Sequence, residues 1–298
     1  MRQVERWMIQ SLFTRSPEGA RFGFDYSANP YRGCAHACRY CYARETHTYL
    51  GHGVGEDFET RLYVKAGVER RARKELARIP LTAVIALGTA TDPYQPLEGR
   101  HRVTRGILEA LAESGHAFTI TTKSPLILRD LDLLSPLGAR GQVVVHISLI
   151  HLDPGLLRQL EPGSPPPRAR LRAMAQLIQA RVPVTHFLAP VLPGLTDQPD
   201  HLRALLTAVR DTGVQRVMVA PLRLPPALRP YFLAQLKAWS PELIHTYEAI
   251  FAEAGYASGP WRRTLEETVA ALCANLGLSL NPQRPRPRDL REQVKFPF

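Results

Sequence analysis

The chain has 298 residues, more than an average domain and about what a single α/β barrel uses, so one large domain with appendages is expected. Hydrophobic content of 45% and charged content of 22% are ordinary globular values; no apolar run approaches the roughly 20 residues of a membrane span, and the N-terminus lacks an apolar core with a cleavage site, so no membrane partner, no export and a cytoplasmic location are expected. The formal charge of +11 points to an acidic partner such as a nucleic acid, although its arginines are spread along the whole chain.

Residues 1–23 read as an N-terminal extension. From residue 24 to 221, short β-type runs alternate with longer helical ones. Strands are expected at 24–29 (FDYSAN), 83–88 (AVIALG), 117–122 (AFTITT), 143–149 (VVVHISL), 182–190 (VPVTHFLAP) and 216–221 (RVMVAP). Helices are expected after the cysteines and at 68–79, 103–115, 125–137, 168–181 and 200–213. Apolar, β-branched runs separated by helices imply parallel crossovers. The same string fits an open doubly wound sheet or a partial barrel. Residues 161–168, EPGSPPPR, form a Pro-rich loop. Residues 222–298 form a helical extension, with helices at 226–240, 241–255 and 261–277, and end in a basic tail, NPQRPRPRDLREQVKFPF. Its prolines prevent continuous helix, so it is an arm over the core or a solvated end.

The run NPYRGCAHACRYCYAR places Cys34, Cys38 and Cys41 at C-x3-C-x2-C spacing directly after the first expected strand. All three can then converge on one metal centre. Thiolates are the usual ligands of iron–sulfur clusters, and a four-iron cube held by three of them keeps one iron open for another ligand. Asn29, Pro30 and Gly33 are turn formers that let the chain wrap closely around such a centre. The competing reading is structural zinc with His36 or His47 as a further ligand, but such sites usually pair short Cys hairpins with a second, distant ligand pair. Cys273, alone in a helical apolar pattern, reads as a buried packing thiol.

This trio, with the aromatic Tyr40 immediately before the third cysteine, resembles the signature of the radical S-adenosylmethionine (SAM) superfamily. The resemblance implies a partial (β/α)6 TIM-like barrel over residues 24–221 and a [4Fe-4S] cluster on Cys34, Cys38 and Cys41. It further implies SAM on the open iron, reductive cleavage to a 5′-deoxyadenosyl radical that abstracts a substrate hydrogen, and a flavodoxin- or ferredoxin-type electron donor. In a parallel barrel the functional groups come from the C-terminal ends of strands. Tyr40, Gly88, Thr89, Thr91 and Asp92 are therefore expected around SAM, Lys123 at its carboxylate and Ser148 at its ribose. Tyr94 and Gln95 are expected to face the same mouth. Farther along, Pro193 and Gly194 permit close backbone approach, Asp197 caps a helix, Arg223 suits a phosphate, and His146 belongs in the core.

Three phrases, NPYRGCAHACRYCYAR, GTATDPYQPLE and the run from TTKSPLILRDLDLL to HISLI, together resemble the spore photoproduct lyase-related group over most of residues 24–225. Those lyases repair a methylene-linked thymine dimer in DNA. Their tyrosines flanking the last cluster cysteine match Tyr40 and Tyr42, and Tyr42 is the candidate for radical return to product. They also carry a hydrogen-donating cysteine after the second strand, whereas AVIALGTATDPYQP has none. Either Tyr42 or Tyr94 replaces it, or the substrate is not the thymine dimer; the second option is preferred, and a nucleic-acid substrate stays open. The non-enzymatic alternative is an iron–sulfur nucleic-acid-binding protein with a structural or redox-sensing cluster.

Overall fold

A computed structural model of the chain describes residues 2–251, 255–257, 259–280 and 284–287. The strands among them are β1 (Gln3–Met8), β2 (Phe13–Arg15), β3 (Tyr26–Ala28), β4 (Tyr31–Arg32), β5 (Arg61–Ala66), β6 (Val84–Leu87), β7 (Ala117–Thr122), β8 (Val143–Ser148), β9 (Val184–Val191) and β10 (Val217–Pro221). β3, β6, β7, β8, β9 and β10 lie side by side in chain order and are all parallel, with β2 antiparallel outside β3. A doubly wound sheet reverses its strand order at a switch point. Here the order is monotonic, as in a barrel, and β10 does not pair with β3 among the described residues, so the barrel is partial. The six expected strands all form, and only β9 runs past its expected end, by one residue.

Alternation along the strands divides the barrel wall into two faces. Phe118 and Ile120 of β7 and Val143, Val145 and Ile147 of β8 join the main apolar core. That core is completed by Ile107, Leu108 and Leu111 of helix Val103–Ser114, and by Leu202, Leu205, Leu206 and Val209 of helix Pro199–Arg210. Each such side chain contributes about 1.5–3 kcal/mol when fully buried. The intervening positions Thr119, Thr121, Val144, His146 and Ser148 face the other side, where Thr121 Oγ1 and His146 Nδ1 are 3.4 Å apart.

The first 23 residues supply strands: β1 pairs parallel with β5, which pairs antiparallel with β4, and β2 pairs with β3. The stretch after the cysteines is a 3-10 helix, Tyr42–Leu50, and the expected helix at 125–137 divides into a 3-10 helix, Pro125–Asp130, and an α-helix, Leu131–Ala139. Helices Leu228–Trp239, Ile244–Ile250 and Gly259–Leu276 form the C-terminal extension, and Ser279 forms a parallel bridge with Arg216 at the β10 edge. Within the basic tail, the Arg286 amide donates to the Gly141 carbonyl at 2.8 Å, so this piece lies on the core; residues 281–283 and 288–298 lie outside the described residues. No described helix is long and apolar enough to cross a membrane.

Candidate functional site

The cysteine loop crosses the C-terminal edge of the parallel strands, and its backbone is fastened from several directions. Asn29 holds the start: its amide donates to Thr89 Oγ1 at 3.0 Å and its carbonyl oxygen accepts from the Ala90 amide at 2.8 Å. Gly33 adopts φ 75°, and a Cβ there would meet the Phe58 carbonyl at 2.8 Å, so only glycine fits against the segment before β5. Thr91 Oγ1 donates to the Gly33 carbonyl at 2.7 Å. Gln95 donates to the same carbonyl at 3.1 Å and accepts from the Ala35 amide at 2.9 Å. From the Pro-rich loop, the Gly163 amide donates to the His36 carbonyl at 3.0 Å.

Arg44 closes the loop from beneath. It is fully buried. Its guanidinium donates to the carbonyls of Cys38 at 2.8 Å, Ala37 at 3.0 Å, Val54 at 3.1 Å and Gly55 at 2.6 Å, and pairs with Glu59. Phe58 and Tyr231 lie 5.2 and 4.8 Å from its charged carbon. Sequence reading missed this residue, although it stands three positions after the last cysteine.

Cys34 and Cys38 are buried and Cys41 is half-buried, all as free thiols. Burial pushes the Cys34 thiol up, helped by the charges of Asp92 and Cys38. Cys38 is pushed up to about 12, mainly by burial with Glu161 and Cys41 adding to it, while Lys123 works in the opposite direction. Loading a metal must therefore expel protons. Lys123 is the favourable cation here: burial disfavours its charge, but Cys38 and Glu161 more than compensate and raise its pKa. Its ammonium lies 3.9 Å from Glu161 and 5.9 Å from the Tyr40 ring centre.

Glu161 is the hub behind Cys38. Buried completely, it accepts from the Tyr40 hydroxyl and pairs with Arg170, whose Nη1 donates to the Ser148 carbonyl at 3.0 Å. Burial works against its charge, but Arg170 and Lys123 prevail and hold its pKa below the usual value. Burial and Glu161 together keep the Tyr40 hydroxyl protonated. Asp92 is similarly saturated: Oδ1 accepts from Thr122 Oγ1 at 2.6 Å and the Tyr94 amide at 2.8 Å, and Oδ2 from the Lys123 amide at 2.7 Å. His36 Nδ1 lies 3.2 Å from Oδ2, too oblique for a well-formed hydrogen bond. Burial alone would raise the Asp92 pKa, but His36 and these donors bring it down to about 2.

The expected residues thus divide. Cys34, Cys38, Cys41, Tyr40, Lys123 and Asp92 come together, and Thr91 and Gln95 join them through the loop backbone. Gly88, at φ 91°, has no room for a Cβ, which would lie 2.5 Å from the Thr121 carbonyl. Tyr42 has a half-exposed ring, but its hydroxyl turns inward to donate to the Thr89 carbonyl. Burial of that end and the Cys41 thiol push it up to about 12, with Arg223 and Lys123 opposing. Ser148 donates to the Ala189 carbonyl at 3.1 Å. Tyr94 is not brought to this group: it is fully buried, and its hydroxyl donates to Asp130 at 3.0 Å. Arg223 stacks on Tyr256, 5.0 Å from the ring centre.

The three free thiols suit a four-iron cluster that keeps one iron open for another ligand. His36 Nδ1 faces Asp92 at 3.2 Å without a well-formed hydrogen bond, and His47 Nε2 lies 3.0 Å from the Arg61 carbonyl with its ring against Phe58. Among the described residues, no three His, Cys, Asp or Glu side chains gather as ligands of a single ion. Three thiols around a cube stand farther apart than three around one ion. Cys273 is buried in helix Gly259–Leu276, where burial pushes it up to about 11.

Comparison with known proteins bears on the same region. The model of the radical SAM superfamily matches residues 28–206. Uncharacterized proteins of Mycobacterium tuberculosis and Mycobacterium bovis are 40% identical over 281 residues, covering 94% of this chain and 82% of theirs. Spore photoproduct lyase complexed with dinucleoside spore photoproduct superposes with a TM-score of 0.67 at 16% identity, over 93% of this chain and 81% of that one. A variant of that lyase with bound AdoMet and dinucleoside spore photoproduct gives 0.66 at 15% identity, over 93% and 80%.

Proposed function

The chain belongs to the radical SAM superfamily and is an enzyme of that kind, and we propose that Cys34, Cys38 and Cys41 hold a [4Fe-4S] cluster whose open iron takes SAM. The observation that carries this is the clamped loop of three thiols at the C-terminal edge of the strands, with Lys123 beside Cys38. When bound, the pair supplies reductive cleavage of SAM and abstraction of a substrate hydrogen. The protein's own task is to fix and charge the site. Lys123 pairs with the SAM carboxylate; Glu161 favours the charged form of that lysine, against the opposing charge of Arg170, and accepts the hydrogen bond that holds the Tyr40 ring in place. Gly88, Thr89, Thr91, Asp92 and Ser148 shape the cofactor cradle, largely by holding the loop and strand ends. Tyr42 holds its proton at the hydroxyl, donated to the Thr89 carbonyl, and is the candidate for radical return to product on a substrate other than the dimer; Tyr94, buried with its hydroxyl on Asp130, has no part in that step.

We further propose a substrate carrying nucleobases, supported by the +11 charge, by the exposed rings of Tyr42 and Tyr256, and by Arg223 between barrel and extension. A structurally similar lyase holds a dinucleoside. The thymine-dimer reaction is disfavoured for this chain, since the segment GTATDPYQP directly after β6 has no cysteine and Cys273 lies in the helical extension. Anaerobic reconstitution followed by iron and sulfide analysis, and electron paramagnetic resonance with and without SAM, tests the assignment. The expected result is about four irons and four sulfides per chain, a SAM-dependent spectrum, and 5′-deoxyadenosine with dithionite or a flavodoxin-type donor. Stoichiometric zinc without sulfide would refute the cluster; a cluster indifferent to SAM, with no deoxyadenosine, would leave the nucleic-acid-binding alternative. Photoproduct-containing DNA then tests the substrate separately, and its repair would overturn the preference against the dimer.

A further inference from the structure

Between β2, β3 and the three-stranded sheet lies a polar cavity of about 100 Å³, lined by Thr14, Ser27, Asn29, Arg32, Thr46 and Lys65 among others. A water needs roughly 10–15 Å³ measured this way, so the space holds several waters or one tetrahedral oxyanion. Its lining contains two cations and no carboxylate. The Lys65 ammonium has no hydrogen bond or ion pair among the described residues. Arg32 spends Nη1 on the Thr46 carbonyl at 3.1 Å and lays its guanidinium 5.0 Å from the Trp7 ring centre, which leaves Nε and Nη2 without hydrogen-bond partners among the described residues.

Two partly buried like charges without a counter-ion are a standing cost. Burial first, and then the Arg32 charge, bring the Lys65 pKa down to about 8. Glu75 opposes this. Its carboxylate, however, is occupied, accepting from the Ser11 hydroxyl and from the Leu12 and Phe13 amides at 3.0–3.1 Å. An anion entering the cavity would neutralise both cations at once and meet the Thr14 and Ser27 hydroxyls.

We propose that this cavity is an oxyanion site that takes a phosphate group between the Lys65 ammonium and the free edge of the Arg32 guanidinium. Its ligand chemistry is independent of the cluster. Free phosphate and a backbone phosphate of a single-stranded oligonucleotide share that chemistry.

Calorimetric titration of the full chain with inorganic phosphate, at constant ionic strength and pH 7, reads the site directly. Saturable binding is expected, weakened about tenfold or more by Lys65→Met and by Arg32→Gln, and largely kept by Lys65→Arg. A second readout uses the unaltered protein: phosphate should slow acetylation of Lys65 while leaving exposed Lys74 unchanged, as measured by peptide mass spectrometry. Competition by a short oligonucleotide would identify the backbone as the source; phosphate binding without competition would identify the free ion. No saturable binding and no protection of Lys65, or full binding by folded Lys65→Met, overturns the proposal.

Discussion

Replacing Arg44 with methionine should unfasten the cysteine loop. Methionine fills much of the volume but removes every donor. Four carbonyl bonds and the Glu59 pair disappear together, two of the carbonyls belonging to the loop residues Ala37 and Cys38. Hydrogen bonds to a charged group are each worth about 1.5–3 kcal/mol, but these share one side chain and are not additive. Breaking a buried pair by removing one partner costs about 3–5 kcal/mol, and Glu59 retains some solvent contact, so the lower half of that range applies. At roughly 2–4 °C per kcal/mol for domains slightly smaller than this, the melting temperature of the metal-free protein falls by about 6–16 °C. Arg44→Lys keeps the charge but loses the fork that reaches several carbonyls, and should fall between the two. Thermal unfolding followed by circular dichroism, with iron and sulfide analysis after reconstitution, measures both consequences. If Arg44→Met melts within about 1 kcal/mol of the parent and takes up iron equally, the loop does not depend on this clamp.

Gly163→Ala puts a Cβ 2.0 Å from the Ala35 carbonyl, so the loop or its neighbour must move; a loss of about 1–3 kcal/mol and reduced iron uptake are expected by the same assays. Asp92 is held at about 2 in the folded chain against 3.8 for the free group, which at 1.36 kcal/mol per unit amounts to about 2 kcal/mol of stability. Because the folded value is the lower, this stability is present above pH 4 or so and is lost as pH falls toward 2; an acid titration of unfolding should lose that component in Asp92→Asn. Lys123→Met should weaken SAM binding by about tenfold or more while leaving iron uptake near normal, and equal SAM affinity in equilibrium dialysis would remove Lys123 from the cofactor site.

The barrel was legible because β6 to β10 are short, mainly apolar or β-branched runs, each followed by a helix, whereas β3 (YSA) was placed largely by the turn residues after it. Strands β1, β4 and β5 were not, because their stability comes from pairing across long stretches of sequence. RLYVKA of β5 buries only Leu62 and Val64, and its partner β1 lies more than fifty residues earlier. The cysteine spacing singled out three candidate cluster ligands, yet it could not reveal Glu161 and Arg170, which flank the Pro-rich loop and pair with each other while Glu161 accepts from Tyr40. Nor did the pattern GTATDPYQP disclose how its residues divide: Asp92 ties Thr122 and Lys123, Thr91 and Gln95 tie the cysteine loop, and Tyr94 turns into the core.

That division changes what the segment after β6 does. Polar residues at a strand end invite assignment to a ligand, and Thr91, Asp92 and Gln95 would each suit SAM chemically. Their hydrogen-bonding capacity, however, is largely spent within the protein: Thr91 Oγ1 donates to Gly33 and accepts from Gln95 at 2.9 Å, and Asp92 accepts three donors within 2.8 Å. A carboxylate so occupied has little left for a ligand. Lys123 differs. Asp92 grips only its backbone amide, and its ammonium lies at the longer distance of 3.9 Å from Glu161. The segment therefore acts on backbone: Asp92 fixes it at Lys123, and Thr91 and Gln95 fix it at the cysteines.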